Sequence, residues 1–134
     1  MKKVIVTALI IISLAVFAGT AAAEAAAEKE TVTYKGYLMD KACADMGKGM
    51  DGSDVVNAPW DHTKMCLMAG PCKASGYGVS VKEGAAFTFI KFDKDGDDIA
   101  WAEIEKFTGE DNFEIEVEGV LEGDVLVVNA ITTK

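Results

Sequence analysis

The chain contains no arginine, and lysine supplies all 13 of its basic residues. It carries 22 acidic residues, so its formal net charge is −9. Nucleic acids are bound by basic surfaces, and arginine is the residue best suited to grip phosphate with two hydrogen bonds. The composition therefore predicts that the protein binds no nucleic acid and is not attracted to anionic membrane surfaces. The acidic excess favours solubility.

Cysteine and histidine are also scarce, with three Cys and one His in 134 residues. The cysteines are spaced so that neither a C-x-x-C pair nor a C-x-x-C-H sequence occurs. The first absence excludes the usual zinc knuckle, and the second excludes covalent attachment of a c-type haem. Because three is an odd number, a single disulfide within the chain would leave one thiol unpaired.

The sequence lacks an apolar run long enough to span a bilayer, which takes about 20 residues. A shorter run over residues 4–19 follows a positively charged start and leads into small residues at 21–23. This order is typical of a secretory signal peptide, which we predict to cover residues 1–23, with cleavage after Ala27 as an alternative. No cysteine lies near the cleavage region, so a lipid anchor is not expected. The mature protein is predicted to be periplasmic or secreted, with no stable membrane insertion after cleavage.

The mature chain is predicted to begin with a disordered lead-in and to continue as one domain. Residues 24–31 form the lead-in because they are mostly Ala and Glu, and residues 32–134 form the domain. That length is sufficient for one modest hydrophobic core. Loss of the two leader lysines changes the formal charge from −9 to −11.

Alternating polarity and an enrichment in β-branched and aromatic residues predict five strands. These strands cover residues 31–39, 77–81, 86–92, 112–121 and 125–131. A polar turn at 93–98 leads into residues 99–107, for which a short amphipathic helix is favoured and a strand is the alternative. Five strands with a helix between the third and fourth is the order of an OB-fold barrel. The predicted fold is therefore mainly β, an OB-like barrel of order β-β-β-α-β-β with a long, helix-containing loop after the first strand.

That loop, residues 40–76, contains every Cys and the only His. Residues 40–57 show no clear periodicity and are predicted to be irregular. Asp61 is a candidate N-cap for a helix that ends near Ala69, because Gly70-Pro71 is a strong stop signal. The loop and its flank carry nine side chains that are donors for soft metal ions: Met39, Cys43, Met46, Met50, His62, Met65, Cys66, Met68 and Cys72.

One interpretation of this clustering is a metal site. His62 and Cys66 would lie four residues apart on one face of the predicted helix, and Cys72 would fold back towards them. Cys43 would complete a Cys₃His set, which is an accepted tetrahedral ligand set for Zn²⁺. Thiolate and thioether ligands also suit Cu⁺, so the methionines give some weight to copper.

A disulfide is the alternative interpretation. Exported cysteines are usually oxidised, and small exported domains use disulfides to close long loops. A bridge from Cys43 to Cys66 or Cys72 would contribute about 3 kcal/mol in the chain-entropy model, whereas Cys66 to Cys72 would only pin the helix end. One thiol would remain, free to join two chains. The residues alone leave both interpretations open.

A nucleophilic pair is a third possibility, because His62 one helical turn from Cys66 could deprotonate the thiol. Asp61 and Asp40 are the only nearby candidates to orient the imidazole. An exposed reactive thiol would also be prone to oxidation outside the cytoplasm. Catalysis is therefore the least supported function.

Several segments of the chain are similar to a group of small exported bacterial proteins of uncharacterised function that carry a signal peptide and a compact β-barrel domain. The matching segments are GYLMDKAC (36–43), HTKMCL (62–67), a third Cys followed by SGYG (75–78), and FDKDG (92–96). The likeness covers most of residues 34–131 and supplies no activity. It implies that Asp40, Cys43, His62, Cys66 and Cys72 form one site, in which Asp40 is a hard ligand or orients His62.

Taken together, these features predict an exported small binding protein whose loop 40–76 holds a transition metal, Zn or Cu. The competing prediction is a disulfide-stabilised periplasmic interaction module with no metal and no catalysis, whose partner would be another envelope protein or an envelope polymer. The sequence does not indicate an oligomeric state.

Overall fold

A computed structural model describes residues 28–134. The predicted signal peptide (1–23) and most of the predicted lead-in therefore lie outside the described residues. Within that range no helix combines the length and the apolar character needed to cross a bilayer.

Five strands form a mixed sheet. They are β1 (Thr31–Asp40), β2 (Tyr77–Glu83), β3 (Ala86–Phe92), β4 (Glu114–Glu122) and β5 (Val125–Thr133). The hydrogen-bonded order is β1-β2-β3-β5-β4, and β4 also pairs with β1. The β3–β5 pairing is parallel and the other four are antiparallel. The mainly β composition and the order of strands and main helix along the chain, β-β-β-α-β-β, are as the sequence predicts.

The strands form where polarity alternates, and β4 shows why. Ile115 and Val117 are buried on one face, whereas Glu114 and Glu118 are exposed on the other. The register with β5 shifts between Glu118 and Gly119, where a Cβ would lie 2.3 Å from the Val127 carbonyl oxygen. Glycine is therefore required for this close approach of the two strands.

Helix α4 (Lys94–Lys106) lies between β3 and β4, as predicted, but it begins five residues before the predicted start at 99. The stretch expected to be a turn is its first turn. Asp93 is the N-cap, and its side chain accepts hydrogen bonds from the backbone N–H of Gly96 at 3.1 Å and of Val128 at 3.0 Å. Polar side chains near a helix N-terminus obscure the apolar period there while favouring the helix electrostatically.

The loop between β1 and β2 differs most from its prediction. It contains three short α-helices and a 3₁₀ helix: α1 (Lys41–Met46), the 3₁₀ helix (Pro59–Asp61), α2 (Lys64–Met68) and α3 (Gly70–Ser75). The expected single helix over 61–69 is wrong. Thr63 rather than Asp61 caps α2, and Gly70-Pro71 begins α3 because proline fits the first turn of a helix.

The core has two parts. The larger part fills the space between the sheet and α4 and includes Phe92, Ile104 and Leu126. The smaller part lies under the loop and consists of Met39, Cys43, Val55, Cys66 and Cys72. All three cysteines are therefore core residues of the loop.

Contacts on both sides hold the 3₁₀ helix and the start of α2 in place. The Trp60 ring packs edge-on against Tyr37 and Phe87, with ring centroids 6.0 Å from each. The Trp60 carbonyl accepts a hydrogen bond from the N–H of Asn112 at 2.7 Å, and the N–H of Lys64 donates to the Glu110 carbonyl at 2.6 Å. The segment that carries His62 is thus fixed to the rest of the domain.

Candidate metal centre

Four side chains from different parts of the loop converge on one buried point. They are Asp40, Cys43, His62 and Cys66, and one potential ligand atom from each lies within 4.8 Å of all the others. None of the four side chains is more than 3% exposed. Two ionisable thiols, an imidazole and a carboxylate thus share a site that water barely reaches.

The two cysteines are presented in the same way by two short helices. Asp40 is the N-cap of α1 and accepts a hydrogen bond from the backbone N–H of Cys43 at 2.9 Å. Thr63 is the N-cap of α2, and its hydroxyl accepts from the backbone N–H of Cys66 at 3.2 Å. Each cysteine therefore follows its cap by three residues, and each cap fixes the backbone from which a thiol projects.

The three cysteine sulfurs lie against one another without being bonded. The Sγ atoms of Cys43 and Cys66 are 3.3 Å apart, and Cys72 Sγ lies 4.0 Å from the first and 3.9 Å from the second. A disulfide bond is about 2.05 Å long. All three cysteines are free, so the structure contains no disulfide. Cys72 is outside the group of four but contacts both of its sulfurs.

Asp40 and His62 meet without forming a proper hydrogen bond. Asp40 Oδ2 and His62 Nε2 are 3.0 Å apart, yet neither atom is aligned to bond to the other. His62 Nδ1 also has no partner among the described residues. Buried polar atoms are almost always hydrogen-bonded, because leaving one unpaired costs about 1–3 kcal/mol. Asp40 Oδ2 and one imidazole nitrogen of His62 therefore fit the ligands of a cation, which would supply their missing interaction.

The electrostatics favour an ionised carboxylate beside neutral thiols. Burial raises the pKa of Asp40, but the adjacent His62 imidazole and the Cys43 N–H outweigh it, so the pKa lies below the ordinary value. Burial is the main reason why the pKa of Cys43 lies far above its usual range and why that of Cys72 is raised to about 12. A bound cation reverses this preference, because it stabilises thiolates directly.

The distances suit a small tetrahedral ion. Zn–S bonds of about 2.3 Å and Zn–N bonds of about 2.0 Å place two sulfurs roughly 3.8 Å apart and two N/O ligands roughly 3.3 Å apart. The observed Cys43–Cys66 separation of 3.3 Å and the His62–Asp40 separation of 3.0 Å are slightly shorter. Modest outward shifts would therefore accommodate the ion. Sulfur and imidazole donors are those preferred by Zn²⁺ and by copper.

The five residues predicted to form one site lie together in the structure, but not as the helix argument proposed. His62 lies outside any α-helix, at the end of the 3₁₀ helix, so the expected i, i+4 relation with Cys66 on one helix is wrong. Of the candidate methionines, only Met39 is buried beside the cysteines, and the four in the loop are exposed. Sequence reasoning missed Thr63, although T-x-x-C at 63–66 repeats the pattern D-x-x-C at 40–43.

Comparisons with known proteins found no match: no family model fits the chain, and no curated protein or solved structure is significantly similar to it. The function of the site must therefore be inferred from its own geometry.

Proposed function

We propose that this protein is an exported small binding protein whose loop 40–76 holds one transition metal ion, Zn²⁺ or Cu⁺, in the buried cluster. Cys43, Cys66 and His62 would bind the ion directly. Asp40 would be the fourth ligand, and Cys72 would support the thiolates or replace the carboxylate. We further propose that the sheet is an OB-like barrel and that the mature protein acts in the periplasm or outside the cell.

The observation that carries the proposal is the meeting of two free thiols with Asp40 Oδ2 and His62 Nε2, which lie 3.0 Å apart without an aligned hydrogen bond, in one buried cluster. Without an ion, the Asp40 carboxylate and the His62 imidazole would have only each other as partners for these atoms in the core, at 3.0 Å and poorly aligned. A transition metal ion offers them a favourable partner, and it also gives a reason for keeping buried thiols close together and reduced. Burial further suits an ion better than a larger substrate, because none of the four side chains is more than 3% exposed.

The test is a competition titration of the reduced protein against a chromogenic chelator, for Zn²⁺ and, under anaerobic conditions, for Cu⁺. We expect one ion per chain, and we expect His62→Gln to lower the affinity for Zn²⁺ at least about 10-fold because it removes a direct ligand. Asn57→Ala is the matched control, since Asn57 is an exposed polar residue of the same loop. Equal affinity in wild type, H62Q and N57A would contradict the assignment of His62.

The distance between two sulfur atoms also supports a second candidate function. The Cys43 and Cys66 sulfurs are 3.3 Å apart, so a small movement would allow a disulfide between them. In that case the protein would be a disulfide-stabilised interaction module that binds another envelope protein. His62→Gln would then leave function unchanged, whereas cysteine substitutions would loosen the loop.

A further inference from the structure

Four methionines of the loop lie on the surface, where hydrophobic packing does not account for them. Met46, Met50, Met65 and Met68 are between 44% and 77% exposed. An exposed methionine buries little apolar area, so it contributes little to stability. Its distinctive property is a polarizable thioether sulfur, which binds soft ions such as Cu⁺ and binds Zn²⁺ poorly.

Two of these methionines border a small cavity that reaches the buried cluster. The cavity has a volume of about 110 Å³ and is lined by Met50, Asp51, Thr63, Met65, Cys66 and Ala69. Cys66 is thus shared between the cavity and the candidate metal centre. The carboxylate of Asp51 adds negative charge at the same place, which favours a cation.

The cluster needs a path by which an ion can enter. Its four candidate ligands are at most 3% exposed, so an ion cannot reach them directly from bulk water. The cavity offers such a path, because its lining combines the sulfur-bearing side chains of Met50 and Met65 with Cys66 of the cluster. Soft ligands in series would pass Cu⁺ inward by ligand exchange and would offer little to Zn²⁺.

The three cysteine sulfurs also form a ligand set that suits Cu⁺ as its final binding site. Their sulfurs lie 3.3, 3.9 and 4.0 Å from one another, close to the roughly 4 Å separation that three bonds of about 2.3 Å require around one ion. Cu⁺ readily accepts such an all-sulfur set, whereas Zn²⁺ would keep His62 and Asp40.

We propose that the cavity bordered by Met50 and Met65 is a Cu⁺ transfer subsite that delivers the ion to Cys66 and then to the three-cysteine set. This inference rests on the proposed metal-binding function and narrows the ion to Cu⁺. In the first exchange a thioether replaces a chelator ligand, and in the later exchanges a thiol replaces a thioether. Copper stays in the +1 state, and each thiol that binds the ion releases its proton to water. No electron is transferred.

The test measures the rate at which the reduced protein takes Cu⁺ from its bathocuproine disulfonate complex, in stopped flow under anaerobic conditions. The double variant Met50→Leu, Met65→Leu keeps apolar side chains of similar volume but removes both thioethers. Met46→Leu is the matched control, because Met46 is 64% exposed and does not line the cavity. Zn²⁺ uptake by the same proteins reports whether the buried cluster is intact.

We expect the double variant to take up Cu⁺ about 10-fold or more slowly, with Met46→Leu and all Zn²⁺ uptake rates within about twofold of wild type. Equal Cu⁺ rates in wild type and double variant would overturn the inference, as would equal slowing by Met46→Leu or parallel slowing of Zn²⁺ uptake. A wild-type protein that binds Zn²⁺ but not Cu⁺ would overturn the inference alone. A protein that binds neither ion would overturn the proposed function as well.

Discussion

At the scale of single residues, Asp40 links the fold to the site. One carboxylate oxygen caps α1 through the Cys43 N–H, and the other lies 3.0 Å from His62 Nε2. The first contact needs only an oxygen acceptor, whereas the second is suited to a negative charge. These two contacts can be separated by substitution, because asparagine retains the acceptor and loses the charge.

We expect Asp40→Asn to lower metal affinity about 10- to 100-fold while the metal-free protein loses little stability. Asp40→Ala should reduce affinity similarly and also cost about 1 kcal/mol for the lost cap. Chelator competition measures the affinity, and urea unfolding in the presence of a chelator measures the stability. Unchanged affinity in Asp40→Asn would show that the carboxylate charge does not serve the ion.

Because of the cysteine thiols, we expect the stability of the metal-free protein to fall as pH rises and the affinity for metal to rise. Burial raises the pKa of Cys43 and brings that of Cys72 to about 12, above the value of about 8.5 expected in an unfolded chain. Above pH 8.5 the unfolded metal-free chain loses thiol protons that the folded state retains. The free energy of unfolding of the metal-free protein is therefore not lowered by these thiols below pH 8.5. As pH rises above that value, it falls by up to about 1.4 kcal/mol per pH unit per thiol.

Metal binding should show the opposite trend, because the ion requires thiolates and its binding releases protons, so affinity rises with pH. Urea unfolding of the reduced protein with chelator at pH 7.5, 8.5 and 9.5 tests the first part. The Cys43→Ser, Cys72→Ser variant is the control, since serine has no comparable ionisation. If wild type and this variant lose stability equally between these pH values, the thiols are not the cause.

At the scale of elements, the sequence predicts strands better than the short helices of the loop. Strand β3 lies where predicted, at 86–92, because alternating polarity over a whole strand gives a clear period. Helices α1 and α2 have only six and five residues, too few to show a helical period. Their only local signals are the capping residues Asp40 and Thr63, and many aspartates and threonines in the chain are not caps.

The sequence predicts which residues form the site but not how they are arranged, because the short helices that carry them give little local signal. Grouping the cysteines with His62 required only their clustering in sequence, whereas their relative positions depend on how the short helices pack. The contact between the Trp60 segment and residues 110–112 is long-range, and no local pattern signals it. Sequence therefore indicates which residues form the cluster, and tertiary structure determines how they meet.

Helices α2 and α3 are connected to the sheet through Tyr77. Its hydroxyl, in a side chain only 1% exposed, donates a hydrogen bond to the Leu67 carbonyl at 2.7 Å. The residue four positions after Leu67 is Pro71, which has no N–H to donate. Tyr77 therefore satisfies a carbonyl at the break between the two helices that carry Cys66 and Cys72.

We expect Tyr77→Phe to destabilise the metal-free protein by about 1–3 kcal/mol, because it leaves a buried carbonyl unsatisfied. The same loss should weaken metal binding, since the two cysteine helices would be less firmly placed. Urea unfolding and chelator titration check both effects, with Tyr34→Phe on the same sheet as the control. A Tyr77→Phe protein as stable as this control would show that the hydrogen bond is not needed.

At the scale of the whole molecule, most of the buried apolar residues lie outside the candidate metal centre. The larger core lies between the sheet and α4, and the cysteines belong to the smaller cluster under the loop. The domain can carry an ion-binding loop because the sheet and α4 already form a core of their own. We therefore expect the domain to fold without metal, while the loop gains order and stability when the ion binds.

The most direct test of this account is the intact mass of the purified mature protein, measured under native and denaturing conditions and followed by thiol alkylation. We expect a native mass that exceeds the denatured mass by one zinc or copper ion, and three alkylatable thiols after unfolding. A protein lighter by two hydrogens, with one alkylatable thiol and no bound ion, would contradict the metal site and establish a disulfide in its place.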